Sequence, residues 1–380
     1  MPHRFDILIL GGGPAGSAAA LALKDSGLKV ALADKCVFPR HKTCGDAIPG
    51  PALKMLKQLL PDFTDELKRF TERQLIKHCK ITAPNGRTIS IEWKEDACNS
   101  SRLDFDNFLF SLVKKYTGTV IYEGFEAGSL QHSENGWEIT GRNDDQLLSA
   151  RLLIGCDGAN SLVTKQAAMR LPDHSMYCTA VSAYYRGIAC AENTNEFFLL
   201  KNYLPGYFWV FPLGNGIFNA GFGIMAAEAS KRKLKLREIL EIIIETEPVI
   251  KTLFTGTVKI SETHGFGLPL GGKKIPVSGE NFMLAGDAAS LIDPLQGHGI
   301  DKAVYSGVAA ARQAARCFEY NNFSADYMRS YDDDVYAKYN HELKRNYRLM
   351  RLLHRQPWLA NAAARLAGTG AVKKIIAKWF

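Results

Sequence analysis

Residues Asp6 to Asp34 read DILILGGGPAGSAAALALKDSGLKVALAD. Asp6 to Leu10 is a short apolar run of strand type that ends in Gly11, Gly13 and Gly16. An alanine-rich helical stretch follows from Pro14 to about Lys24, Gly27 breaks it, and Leu28 to Ala33 reads as a second strand closed by Asp34. Set between strand, helix and strand, the G-x-G-x-x-G spacing acquires a physical meaning. The first glycine allows the tight turn, the second lets the backbone approach a pyrophosphate, and the third lets helix and strand pack closely. Unpaired amides at the helix start attract phosphate, and the helix dipole adds to the attraction. Asp34 then stands where it can accept hydrogen bonds from a ribose diol. The stretch predicts a Rossmann-like dinucleotide site rather than a glycine-rich turn in an ordinary βαβ unit.

The chain around it has 380 residues, which is long for one core and predicts two or three domains. An apolar share of 46% and a charged share of 23% are those of a globular protein. No stretch approaches the roughly 18 apolar residues of a membrane span. The only apolar run near the N-terminus is the first strand, so no signal peptide is read there. Eight cysteines without paired C-x-x-C spacing argue against a zinc site or a disulfide scaffold, and no metal site is expected. A reducing cytoplasm suits them. The net charge of +8 is concentrated late in the chain: from Tyr336 onward ten lysines and arginines face the single acid Glu342. A helical tail solvated by basic side chains explains this more simply than nucleic-acid binding, and no nucleic-acid partner is expected.

Directly after Asp34, the segment KCVFPRHKTCGDAIPGP (Lys35 to Pro51) reads as a loop in which Arg40, His41, Lys42, Cys44 and Asp46 crowd past the ribose site. Loops carrying such side chains beside a cofactor are often functional. Lys35 and Arg40 are the candidate cofactor contacts within it. Short helices are expected over Pro51 to Leu60 and Asp65 to Phe70, and an antiparallel strand pair over Gln74 to Ala83 and Arg87 to Trp93. A helix capped by Ser101 or Asp104 runs to about Tyr116. Arg102, at its start, could pair with a phosphate or with a carboxylate. Strands then lead to Leu152-Leu153-Ile154-Gly155-Cys156-Asp157-Gly158, which brings the Asp157 carboxylate to a sheet's carboxyl edge.

Residues 176 to 226 are strand-rich, and Pro205-Gly206-Tyr207-Phe208-Trp209-Val210-Phe211-Pro212 is dense in aromatics. Alternation puts Tyr207, Trp209 and Phe211 on one face and Phe208 and Val210 on the other. Core packing accounts for one face, and an apolar substrate pocket for the other. A charged amphipathic helix of surface type is expected from Lys231 to Thr246. A second decisive stretch runs from Asn281 through Gly286-Asp287 to Gly297-His298-Gly299-Ile300, where a long helix opens. The Asp287 carboxylate at a strand end suits a sugar-like hydroxyl. The amides at Gly297 to Ile300 suit a group that becomes anionic, as the reduced flavin ring does, and the helix dipole favours it. An enzyme using NAD alone has no need of this second site, so the sequence favours FAD.

Gly11-x-Gly13-x-x-Gly16, Asp157-Gly158 and Gly286-Asp287 together resemble the FAD-dependent class that includes p-hydroxybenzoate hydroxylase. Within it, FPRHKTCGD (Phe38 to Asp46), PGYFWVFP (Pro205 to Pro212) and GDAASLIDPLQGHGI (Gly286 to Ile300) are most similar to the geranylgeranyl reductase family, over about residues 5 to 320. The resemblance implies FAD held by Ala15, Asp34, Cys44, Gly45, Arg102, Asp287, Gly299 and Ile300, and a prenyl cavity walled by an antiparallel sheet. It implies a mixed α/β fold: a discontinuous Rossmann-like FAD-binding domain (1–75, 100–165 and 270–320), an inserted antiparallel substrate domain (76–99 and 166–269) and a C-terminal helical region (321–380). Asp34 stands where the family more often has glutamate, and Thr164 where arginine is common after Asp157-Gly158, which weakens any NAD(P)H role of that motif. AVKKIIAKWF at the C-terminus could rest on a membrane surface.

The reaction so implied is reduction of a carbon–carbon double bond in an apolar substrate, with NAD(P)H or another reductant as electron donor. A positioned acid must supply the proton. Cys44, Tyr207 and His298 are the candidates. The competing readings are an aromatic-type monooxygenase, a halogenase, whose W-x-W-x-I-P segment is missing here, and a non-catalytic flavin-binding redox sensor.

Overall fold

The run Val30–Asp34 is buried along its whole length, as a strand must be when both faces of its sheet are covered. It belongs to the first of two sheets. The structure, a computed structural model, describes residues 3–143, 146–171 and 173–366. In the first sheet the strands Phe282–Leu284, Leu147–Gly155, His3–Leu10, Val30–Asp34 and Val120–Glu123 lie side by side and parallel. Ser278–Gly279 closes one edge, and the hairpin Ala127–Ser133/Gly136–Gly141 attaches to Leu147–Gly155 antiparallel. This register sets the carboxyl ends of the central strands, and hence Gly11, Asp34, Cys156 and Ala285, along one rim.

Helix Pro14–Ala22 is alanine-rich because it is buried nearly throughout, squeezed between this sheet and the long helix Ile300–Glu319. Two glycines make the closeness workable. A Cβ on Gly16 would lie 1.9 Å from the Gly11 carbonyl oxygen, and one on Gly307 would lie 2.1 Å from that of Ala15.

The second sheet runs Val258–Lys259, Tyr177–Arg186, Ile217–Met225, Tyr207–Gly214, Thr194–Phe198, Gln74–Thr82, Thr88–Asn99, Ala47–Ile48, with His264–Pro269 also paired to Tyr177–Arg186. It is antiparallel except where Thr194–Phe198 meets Gln74–Thr82 in parallel. One face buries Phe208, Val210, Phe218 and Phe222 in a core shared with Leu240 and Ile243 of helix Leu236–Thr246. Three sequence expectations need correction. The expected loop after Asp34 contains the two-residue strand Ala47–Ile48, and the hairpin's second strand extends to Asn99. The helix expected from Lys231 begins only at Leu236 and is preceded by a separate short helix, Ala226–Lys231, with Lys233 between them in a left-handed conformation at φ 51°.

After residue 321 the chain returns to the first sheet. Helix Ala325–Arg355 sends the Tyr331 hydroxyl to the Leu284 carbonyl (2.6 Å), while its Asp332 accepts from the Ser278 hydroxyl (2.6 Å). Helix Trp358–Leu366 follows. None of the described helices is long and apolar enough to cross a membrane. The segment AVKKIIAKWF lies outside the described residues.

Candidate flavin and substrate site

Between the rim of the first sheet and the aromatic face of the second lies a cavity of about 790 Å³. Gly11, Gly13 and Ala15 line it, with Gly11 in the left-handed region at φ 103°. Gly16 does not line it, because its place is beneath the turn, against Gly11. The Asp34 carboxylate accepts from the amides of Gly12 (2.7 Å) and Cys36 (2.9 Å), so backbone on both sides fixes its orientation toward the cavity. Lys35 lines the same end but is exposed.

Arg40 stands 3.8 Å from Asp34 and 3.1 Å from Asp106. Arg102 grips the same Asp106 in a fork, at 2.6 and 2.7 Å. Of the two partners left open for Arg102, the structure shows the carboxylate. Burial alone would pull the guanidinium down, but Asp106 outweighs it and holds Arg102 above its ordinary value. Asp106 is wholly buried and was not singled out in the sequence, although its spacing of four from Arg102 on a helix is the spacing of an ion pair. The Cys44 side chain lies near enough to Arg102 to interact with its charge.

On the opposite side, Asp287 is 3.6 Å from the Lys42 ammonium, and the Gly286 amide donates to the Ser306 hydroxyl. Gly299 caps helix Ile300–Glu319, and Gly297, Gly299 and Ile300 all line the cavity. The Gly297 amide, however, is spent on the Asp293 carbonyl (2.9 Å), so it is not available to a ligand as expected. Asp293 organises this loop: one carboxylate oxygen accepts from the amides of Leu295 and Gln296, the other from the Asn346 side chain.

Asp157 also lines the cavity. One of its oxygens takes the amides of Leu162 (2.6 Å) and Val163 (3.2 Å), while the other is buried with no partner among the described residues. Burial raises its pKa. Thr164 bonds the Ala288 carbonyl, which Arg170 reaches as well.

The third wall is the face bearing Tyr207, Trp209 and Phe211. The Tyr207 hydroxyl donates to the Gln296 carbonyl at 2.6 Å, and burial pushes its pKa well up, so the phenol stays protonated. The Trp209 indole donates to Asn219 at 2.9 Å, and Asn219 in turn donates to the Cys44 carbonyl (2.8 Å) and to Asp46 (2.7 Å). Tyr184 adds its hydroxyl to Asp46 at 2.9 Å. Asp46 is fully buried, and burial raises its carboxyl to about 7 despite these donors. Phe197 packs edge-on against Tyr207 and Phe211, with ring centroids 5.5 and 5.0 Å away. Gly45 meets this wall closely: a Cβ there would lie 3.0 Å from the Phe211 ring. His298 places Nδ1 2.9 Å from Asp301, whose carboxyl is held far below its ordinary value; burial works the other way, but His298 and Lys302 outweigh it.

Asp106, Phe197 and Asn219 were not singled out in the sequence, while Lys42 and Asp46 were read in the loop past the ribose site but given no role. An extended dinucleotide fits what surrounds the cavity: a glycine turn open at Gly13, acid-tipped strand ends at Asp34 and Asp287, and an orphaned acceptor at Asp157 that asks for a donor. The apolar wall of Tyr207, Trp209 and Phe211 faces the same cavity.

Comparison with known proteins agrees. Residues 4–319 match the family described as FAD binding domain. The chain is 29% identical to the menaquinone reductase of Mycobacterium tuberculosis over 321 residues, covering 80% of this chain and 75% of that protein. It is 28% identical over 358 residues to the digeranylgeranylglycerophospholipid reductase of Thermoplasma volcanium, covering 90% and 86%. The fold is that of a geranylgeranyl bacteriochlorophyll reductase-like protein from Thermoplasma acidophilum, with a TM-score of 0.87, 24% identity, and coverage of 100% of this chain and 97% of that one. The glycine turn, the acid-tipped strands and the aromatic sheet thus have a common explanation: the chain belongs to the FAD binding domain family, as a FAD-dependent oxidoreductase of geranylgeranyl reductase-like type.

Proposed function

We propose that the protein reduces a carbon–carbon double bond in a prenyl chain. The observation that carries this reading is the apolar wall of Tyr207, Trp209, Phe211 and Phe197, which shares one cavity with the glycine turn and both acid-tipped strands. FAD, when bound, supplies hydride-transfer chemistry from its reduced ring. Asp34 would hold the ribose, Gly11, Gly13 and Ala15 the pyrophosphate, Arg40 the phosphate charge, and Asp287, Gly299 and Ile300 the flavin end, with Asp157 accepting from a hydroxyl; Arg102 stays with Asp106, and the amides of Gly286 and Gly297 are already spent within the chain. Lys35 would screen the phosphates from the exposed edge.

An isolated alkene is a poor electrophile, so the chain must also place an acid at the apolar wall. Cys44 is our choice. The Arg102 guanidinium beside it would neutralise the thiolate left after proton loss, and Asn219 fixes the loop through the Cys44 carbonyl. Tyr207 is a less willing donor, because burial holds its proton and Gln296 occupies it. His298 is turned to Asp301. The menaquinone and digeranylgeranylglycerophospholipid reductases among its relatives support a lipid-like substrate. NAD(P)H or another reductant would provide the electrons. The exposed Leu352, Trp358 and Leu366, set among Arg351, Arg355 and Arg365, suit contact with an anionic membrane from which such a substrate would be drawn.

The test is anaerobic. Protein loaded with FAD and reduced by dithionite is mixed with geranylgeraniol, and the product is weighed by mass spectrometry. A product heavier by two hydrogens supports the proposal; a product formed only with oxygen and carrying an oxygen atom would replace it with a monooxygenase.

A further inference from the structure

Among the described residues, three side-chain polar atoms are buried without a hydrogen-bond partner: Asp157 Oδ1, Thr263 Oγ1 and Trp93 Nε1. Asp157 and Trp93 both line the large cavity, and Thr263 does not. Asp157 is an acceptor on the cofactor side. Trp93 is a donor, and it sits elsewhere. Its strand, Thr88–Asn99, is separated from the aromatic strand Tyr207–Gly214 by Gln74–Thr82 and Thr194–Phe198. Three strand spacings put it roughly 14 Å sideways from the Tyr207–Phe211 wall.

The face of the sheet is the same one. Trp93 and Phe197 pack against one apolar cluster that includes Ile81 and Ile91, and Phe197 touches Tyr207 and Phe211. Trp93, Phe197, Tyr207 and Phe211 all line the one cavity, so its apolar lining extends to Trp93. There it meets solvent, since Trp93 is only half-buried and Glu95, two residues on, is exposed. Trp93 is thus a donor at the rim of a greasy channel, with its N–H aimed at no acceptor the chain provides. A buried indole N–H ordinarily finds a partner. Here the partner has to come from the occupant.

We infer that Trp93 is a specificity-determining residue, whose indole N–H donates to an oxygen at the polar end of the substrate, remote from the double bond that reacts. The ligand class is a prenyl chain ending in a hydroxyl, ether or carbonyl oxygen, as opposed to a bare hydrocarbon. The inference rests on the prenyl reading of the cavity and adds to it which end of the molecule is read, and by what.

The experiment measures binding to the oxidised, FAD-loaded protein through the perturbation of flavin absorbance, with no turnover. The probes are geranylgeraniol and the matching hydrocarbon without its hydroxyl. Trp93→Phe keeps the ring and deletes the N–H. The variant is expected to bind geranylgeraniol about 5-fold more weakly, or about 1 kcal/mol, and the hydrocarbon as the wild type does. Equal weakening of both probes would make Trp93 a packing residue, and no change in either would leave its N–H to water; either result overturns the inference while the prenyl reading stands. If neither probe binds the wild-type protein, the prenyl reading fails and the inference falls with it. Should Trp93→Phe not fold, Trp93→His, which retains a ring donor, is expected to preserve the preference for the alcohol, and its loss there counts against the inference.

Discussion

Asn346, late in the C-terminal helix, donates its side-chain amide to the Asp293 carboxylate at 2.6 Å, and both side chains are fully buried. Asp293 uses its other oxygen to hold the amides of Leu295 and Gln296, so the helix that returns after residue 321 ties down the loop that presents Gly299 and Ile300 to the cavity. Asn346→Ala would leave a buried carboxylate oxygen short of a donor, a cost of about 1–3 kcal/mol. The expected result is a lower Tm together with several-fold weaker FAD binding by fluorescence titration. A folded variant with unaltered FAD affinity would show that helix and loop are not coupled.

Asp34 serves two amides at once, with a separate oxygen for each. Asp34→Asn can satisfy only one of them and loses the charge that favours a ribose hydroxyl. Hydrogen bonds to charged groups are worth about 1.5–3 kcal/mol, so FAD affinity should fall at least about tenfold. Equilibrium dialysis against FAD reads this directly, and near-native affinity would remove Asp34 from the ribose site.

Gly307 gives a mechanical prediction. An alanine Cβ there would sit 2.1 Å from the Ala15 carbonyl oxygen, backbone against backbone, so the two helices that flank the glycine turn must separate. Overpacking of this kind costs about 1–3 kcal/mol or more. Gly86→Ala makes a useful contrast, because its Cβ would meet open space and only the left-handed backbone (φ 79°) opposes it. Thermal melts should show the larger loss for Gly307→Ala, accompanied by loss of bound flavin.

Asp46 predicts a pH dependence of stability. Its carboxyl is raised by burial from 3.8 to about 7, against the pull of Asn219, Tyr184 and Arg102. Between these values the folded chain holds a proton that the unfolded chain has released, so stability falls as pH climbs from about 4 to about 7 and is flat beyond for this group. The shift corresponds to at most about 4 kcal/mol. Asp46→Asn, which tolerates the left-handed backbone at this position, should flatten that decline in urea melts taken across the window. A variant curve parallel to the wild-type curve would assign the decline to other groups.

The parts of the site that lie close together in the chain were legible beforehand. Gly11 to Asp34 could be read because turn, helix start and strand end follow each other directly, and the face of Tyr207, Trp209 and Phe211 followed from a period of two. What sequence could not show depends on register between distant strands. Phe197 joins the aromatic wall because it lies opposite Trp209, and Asn219 reaches Cys44 only because its strand is next to that of Phe211. Lys302 looks like an ordinary surface lysine of a helix, yet it is wholly buried between Asp301 and Glu342, the latter contributed by the returning helix. The break at Lys233 had no proline or glycine to announce it. The Gly297 amide was misjudged because its loop partner, Asp293, folds back on it.

The segment that leaves Asp34 ends as Ala47–Ile48, hydrogen-bonded into the other sheet beside Cys98 and Asn99. It works as a strap anchored at both ends, with Cys44 near its far buckle. Any slippage between the two sheets must therefore be taken up in this strap, and the thiol will be displaced before either wall is. An occupant too bulky for the gap would be refused by misalignment of the reacting groups, even where it could be squeezed in.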